Sequence, residues 1–468
     1  MARAIMPRRA SGVGLGMASW CRARRWRATA ERAVMRWGWG STDMDTVETR
    51  PFGFWMATAL VVGGMIGSGI FLMPVGLAPF GWTAVAAWAI SILGAVSLAF
   101  TMSRLAQAMP HASGAVAVTG AALGELPGVL VGWSYWVSVW SANAGIAIAA
   151  TSYLGSFVPW IRATPLNGAL TAVALIWLLT LLNLGGAKAA GRFQVVTTVL
   201  KLVPLLTVIV LAAGGLISGS ASLPAGGLAV GGIASAITLT LFPLVGFEAA
   251  GVAAERVRDP ARNVMRASMA GTAGTGLLYL LVSIAFLTLP ATKLAASGAP
   301  FELLVSTFWS AGPALAIAAF AAIAAIGALN GWVLIQGEVP LGMARAGLLP
   351  GWFGKVSARD VPVRVLVVSS ALASLLVLSN ASASLGNVFV FVATLATCST
   401  LWLYAALAVA AIKHRIAVPT AAVGLAFSIV AFVGAGEKAF AWSFALMATA
   451  IPLYLVRPKR GLAEQTAE

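Results

Sequence analysis

Residues 63–74 read Gly-Gly-Met-Ile-Gly-Ser-Gly-Ile-Phe-Leu-Met-Pro, a small-residue break inside the first long apolar stretch of the chain. A helix crossing lipid must satisfy its own backbone. A weak point such as Gly67-Ser68-Gly69 is therefore tolerated only where the freed N–H and C=O groups face protein, water or a ligand. The break implies an integral membrane fold with a binding site at mid-depth.

Composition agrees with that reading. The 468 residues are 60% apolar and only 9% charged. A span needs about 20 apolar residues, at about 1.5 Å rise each across a hydrocarbon core of about 30 Å. Stretches of this kind recur near 53–77, 83–107, 127–156, 166–186, 193–217, 231–254, 267–290, 304–334, 363–379, 385–412, 416–434 and 438–456. The expectation is an all-α protein of about twelve transmembrane helices.

The formal net charge of +16 does not point to a nucleic-acid partner, because of where the cations lie. Nine of the thirty Lys and Arg fall in residues 1–43. Most others occupy every second loop: Lys188 and Arg192; Arg256, Arg258, Arg262 and Arg266; Arg345, Lys355, Arg359 and Arg364; Lys413 and Arg415; Arg457, Lys459 and Arg460. The alternate loops carry Arg162, Lys293 and Lys438. The positive-inside rule then makes both termini cytoplasmic, as an even number of spans requires. The run from Arg256 to Arg266 reads as topology and loop pairing, with membrane lipid as a further contact.

Residues 1–43 lack the apolar core of a secretory signal. They read as a disordered basic tail or a mis-assigned start upstream of Met44, leaving 44–468 as the twelve-helix membrane domain. Cys21 and Cys398 are too few for a disulfide framework. His111 and His414 lack the spaced partners of a metal site. No cofactor is implied. No His-Glu-x-x-His or Gly-x-Ser-x-Gly motif and no pair of intramembrane Asp residues occurs, so an enzyme is not expected.

A second break sharpens the reading. Residues 238–251, Thr-Leu-Thr-Leu-Phe-Pro-Leu-Val-Gly-Phe-Glu-Ala-Ala-Gly, carry Pro243 and Gly246 inside another apolar stretch. Proline removes one backbone bond and opens the helix. Breaks in spans one and six fit two inverted five-helix repeats, with substrate held where the broken helices meet. The repeats fall at about 53–217 and 231–412, followed by two accessory helices at about 416–456.

Gly-x-x-x-Gly-Ser-Gly-Ile-Phe-x-x-Pro, Phe-x-x-Val-Gly-Phe-Glu and the loop Asp259-Pro260-Ala261-Arg262-Asn263-Val264 resemble the amino acid, polyamine and organocation transporter superfamily. Within it the chain is most similar to bacterial arginine/agmatine antiporters and their basic amino acid and polyamine relatives, over roughly residues 50–456. The resemblance implies that Gly67, Ser68 and Gly69 cradle the substrate carboxylate, as exposed N–H groups at a half-helix start suit an anion. Met65 also lines that pocket. It implies that carbonyls from Phe242 to Val245 receive the ammonium group. Ser138, Val139 and Asn143 would contact the distal end of the substrate, with Trp332 as a middle gate. Tyr135 and Glu248 are expected to touch and form the inner gate, Glu248 also carrying a proton. The resembling antiporters pair as homodimers through their last two spans.

Glu248 also stands out without the resemblance. A charged side chain inside a span costs roughly 2.5–3.5 kcal/mol on insertion scales, so such residues line pathways or carry protons. Glu338 is expected at the cytoplasmic end of span eight, paired with Arg345. One departure bears on specificity. Arginine/agmatine antiporters have a Trp-Ser pair where this chain has Phe242-Pro243, which keeps an aromatic lid and loses an indole donor and a hydroxyl. The reading is a multi-pass transporter of the bacterial inner membrane, exchanging arginine or a related basic amino acid for agmatine or a related amine. A proton-coupled neutral amino acid permease is the alternative, and a channel or sensor the alternative of another class.

Overall fold

The computed structural model describes residues 53–67, 69–109, 112, 114–185, 200–248 and 257–456. The basic segment 1–43, Cys21, His111, Lys188, Arg192 and Ser68 lie outside the described residues. Among those described, the regular structure is all helix, without a β-strand. This is the outcome that a continuous apolar sequence in lipid demands, because a helix satisfies its backbone internally.

The helices that build the site are α1 (Phe54–Met65), α2 (Gly69–Leu77), α3 (Trp82–Ala108), α4 (Ala115–Leu123), α5 (Glu125–Leu154) and α6 (Pro165–Leu184). They are followed by α7 (Leu202–Ile217), α8 (Ile233–Leu241), α9 (Pro260–Phe286), α10 (Pro300–Phe308), α11 (Ala311–Arg345), α12 (Val363–Leu378), α13 (Leu385–Lys413), α14 (Val418–Ala448) and α15 (Ala450–Val456). Local sequence sets several starts. Thr164 accepts a bond from Asn167 N–H at 3.2 Å with Pro165 at the first helical position, and Pro260 takes the same first position in α9.

Among the described residues, six helices are each long and apolar enough to cross a membrane, and the bent pair of α1 and α2 makes a seventh. Three shorter apolar helices cover 202–217, 230–244 and 363–378. Two boundaries differ from the sequence reading. The stretch expected at 304–334 divides, because Trp309 leaves helical space (φ −130°, ψ −101°) after α10. α11 then runs on to Arg345, past polar Gln336 and Pro340. Near the C-terminus, Gly436 (φ 76°, ψ 164°) interrupts α14 between the two stretches expected at 416–434 and 438–456.

α5 is the central post. Its side chains are buried on every face from Gly128 to Tyr153, apart from Leu130. A helix apolar all round belongs inside a bundle. It packs against α11 and α13 most extensively, and also against α6 and α12. α3 and α9 pack together, and α9 lies against α1. This leaves the two interrupted segments, α1–α2 and the one that begins with α8, facing α5 and α13.

Candidate functional site

The first break is a real loss of helix. Ile66 takes φ −71°, ψ 80°, and Gly67 N–H turns back to Met65 O at 2.7 Å. The helical partner of Gly67 N–H is Gly63 O, which is therefore orphaned by the break. Lys201 fills the gap: its Nζ donates to Gly63 O at 3.2 Å, and the side chain is 1% exposed. The Tyr279 hydroxyl donates to Met65 O at 2.9 Å, a second clamp on the same break.

The second break follows α8. Phe242–Leu244 tighten into a 3-10 turn, Val245 is extended, and Gly246 adopts φ 116°, a region that favours glycine. The two breaks touch. A Cβ on Gly246 would lie 3.2 Å from the Gly64 carbonyl, and one on Gly69 would lie 3.2 Å from the Phe242 ring. Small residues thus let two backbones approach where each has given up regular bonding.

Glu248 sits just past the second break and is 6% exposed. Its Oε1 accepts from the Tyr135 hydroxyl at 2.8 Å. Oε2 accepts from Gly246 N–H at 3.1 Å and from the Tyr404 hydroxyl at 3.3 Å. The carboxylate ties α5 and α13 to the broken segment. Tyr404 also stacks on Phe247, with ring centroids 5.0 Å apart.

Between the breaks lies a cavity of about 30 Å³, lined by Met65, Gly67, Gly69, Ser138, Phe242, Val245 and Trp332 among others. One water needs roughly 10–15 Å³ of such space, so the volume suits two or three waters and no amino acid. The site is narrow. Phe242 walls it on one side, edge-on to Phe389 at 5.9 Å.

A family model described as amino acid permease matches residues 52–460. The chain belongs to the amino acid permease family. Among its relatives, the cadaverine/lysine antiporter of Escherichia coli is 32% identical over 347 residues, covering 71% of this chain and 76% of the relative. The putrescine transporter PotE of Haemophilus influenzae is 28% identical over 410 residues, 84% and 94% of the two chains. A candidate arginine/ornithine antiporter of Bacillus subtilis is 30% identical over 404 residues, 78% and 85% of the two chains. The permease is a multi-pass membrane protein and a transporter, not an enzyme.

Seven residues expected at the permease's site from sequence do line the cavity. Val139 and Asn143 do not, although both are fully buried on α5. Asn143 instead donates through Nδ2 to Gln336 Oε1 at 2.7 Å. The cavity also takes Ala142, Ile146, Ala396 and Thr400, which sequence reading does not single out. Lys201, Tyr404 and Gln336 are further omissions. Their signal is a polar side chain inside an apolar stretch, most pointed for Lys201. Glu338 does not pair with Arg345. It lies on an exposed face of α11, and Arg345 reaches Asp360 at 3.1 Å in a pair exposed on both sides. Cys398 is buried and accepts from the Ser443 hydroxyl at 3.3 Å. Nε2 of His414 meets Ala122 O at 2.9 Å.

Proposed function

We propose that the permease is a secondary active antiporter that exchanges a basic amino acid for its decarboxylated amine by alternating access. The single observation that carries this reading is the meeting of two broken helices at a small cavity, with Phe242 and Trp332 on its walls. The N–H groups at the start of α2, from Gly69, suit a carboxylate, and the turn from Phe242 to Val245 offers carbonyls to an ammonium. Such a site reads the zwitterionic head by backbone and leaves the side chain to α5 and α11. The relatives named for lysine and cadaverine, for putrescine, and for arginine and ornithine favour basic substrates. The finer pairing of arginine with agmatine rests on the sequence resemblance.

In this reading twelve helices cross the inner membrane with both termini cytoplasmic, α1–α2 and the segment from α8 form the broken spans one and six, and the kink at Gly436 divides the last two. Tyr135 and Glu248 seal the inner side, and Phe242 and Trp332 fold over substrate. An exchanger must keep the empty carrier from reorienting, and aromatic closure on an occupied site provides that coupling.

The test is uptake of labelled lysine or arginine into proteoliposomes preloaded with cadaverine, agmatine, the same amino acid or nothing, at pH 5 and pH 7. Uptake that requires a basic load supports exchange. Uptake without any load, driven by a proton gradient and competed by neutral amino acids, would favour the neutral permease instead. Flux far above carrier turnover would favour a channel.

A further inference from the structure

Tyr135 and Tyr153 stand about five helical turns, roughly 27 Å, apart on α5, so both leave the same face of the post. Ser138, Ala142 and Ile146, which line the cavity, fall between them. Beyond one end of the cavity the Tyr135 hydroxyl donates to Glu248. Beyond the other end Tyr153 makes a tie of its own.

The Tyr153 side chain is fully buried, and its hydroxyl is used twice. It donates to Phe71 O in α2 at 2.7 Å and accepts from Phe301 N–H in α10 at 3.3 Å. The direction is fixed, because the N–H can only donate and the hydroxyl has one proton to give. α10 needs this acceptor: its N-cap, Ala299, has no side chain that can take a bond from the first free N–H groups. One phenol thus completes the start of α10 and fastens α2 to it. Phe71 lies in the first turn of α2, whose Gly69 lines the cavity.

Aromatic rings fill the same place. Phe71 lies edge-on to Tyr153 and to Phe301, with centroids 6.3 Å and 5.2 Å apart, and Phe301 lies edge-on to Phe286 at 5.0 Å. On either side of Tyr153, Ser152 Oγ donates to Gly298 O and Ser156 Oγ donates to Glu302 Oε2. Arg162 folds back to brace this end, its guanidinium donating to Ser152 O and to Ser156 Oγ at 2.9 Å. Residues 298–302 are therefore held by α5 at successive points, and the middle one reaches on to the broken span.

We propose that Tyr153 is a positioning residue for transport, the outer counterpart of Tyr135: outward opening requires its hydroxyl to release Phe71 O, and the same bond holds α2 in place while the inner tie opens. This rests on the antiporter reading above and on its topology, in which the loop carrying Arg162 faces out. Tyr153 is not on the cavity wall, so its loss changes which side the site faces rather than what the site binds.

The test is thiol accessibility. In a carrier with Cys21→Ser, Cys398→Ser and Ala142→Cys, a membrane-impermeant methanethiosulfonate reports which side the cavity faces. Tyr153→Phe keeps the ring and removes both bonds. It should speed labelling about tenfold in right-side-out vesicles and slow it in inside-out vesicles, as the loss of two neutral hydrogen bonds from one side of an equilibrium does. Tyr135→Phe should shift both rates in the opposite direction. Ser152→Ala, which frees only Gly298 O, should act like Tyr153→Phe by a smaller factor and keeps the test open if Tyr153→Phe does not fold. Rates unchanged from both sides, or raised from both sides as in a generally loosened bundle, overturn the positioning role. Lysine and cadaverine exchange is measured separately on wild type: its absence overturns the antiporter reading, while the labelling still decides the role of Tyr153.

Discussion

Gly246 lies against Gly64 so closely that a methyl group on it would press into the Gly64 carbonyl, and its backbone sits at φ 116°. The contact joins the two broken segments. Gly246→Ala has to be accommodated against backbone rather than against a yielding side chain, and it also enters a strained region. The expected loss is on the order of 1–3 kcal/mol. It should appear as lower thermal stability in detergent and weak exchange, whereas alanine at Gly214, where an added methyl group meets nothing within 4 Å, should leave both unchanged.

Lys201 is the donor that replaces the helical bond lost by Gly63. Lys201→Met keeps the length of the side chain and removes the donor, so a buried carbonyl is left unmet at about 1–3 kcal/mol. We expect exchange to fall at least about tenfold. Lys201→Arg should not restore it, because the larger guanidinium enters a site only 1% exposed. Normal exchange by Lys201→Met would show that the break holds itself open without the cation.

How much of this was legible before the structure follows from what each residue reports locally. Gly67 to Gly69 and Pro243 with Gly246 announce themselves, since small residues and proline inside an apolar run weaken a helix wherever it packs. The contact of Tyr135 with Glu248 was legible through the family motif. Lys201, Tyr404 and Gln336 were not, because their roles depend on which helix lies opposite. Asn143 was assigned to the pocket wall, yet its NH₂ turns to Gln336, a partner 193 positions away in sequence. The end of α10 at Trp309 also escaped, since apolar residues continue on both sides of it.

Glu248 gives a pH prediction. Its two oxygens accept from Tyr135, Gly246 N–H and Tyr404, and all three neighbours donate. A proton on the carboxyl can be received only by a tyrosine hydroxyl that turns its own proton away, so at least one of the bonds to the carboxylate is lost, loosening the tie between α5 and the second break. Exchange should therefore rise as pH falls from 8 towards 5. Glu248→Gln places an NH₂ against the same donors and should hold the carrier in the loosened condition at every pH. A wild-type pH profile in Glu248→Gln liposomes would remove the proton role and leave the carboxylate a purely structural tie.

Phe242 offers the last test, because its fit is tight on the side that must move. The ring lies 3.2 Å from the Cβ position of Gly69 and 3.7 Å from that of Gly145, and the cavity beyond it holds about 30 Å³. Substrate entry requires this ring or Trp332 to swing away, so the closed form depends on a ring of this size. Phe242→Trp introduces an indole where α2 and α5 leave no volume, and overpacking of this kind costs about 1–3 kcal/mol. The closed form should be disfavoured and exchange slowed by roughly tenfold or more, with substrate affinity in equilibrium binding changed less. Phe242→Leu should do the reverse in part: it fits, but it closes poorly, so uptake without a counter-substrate should appear. A Phe242→Trp carrier that exchanges at the wild-type rate would show that the lid is formed by Trp332 alone.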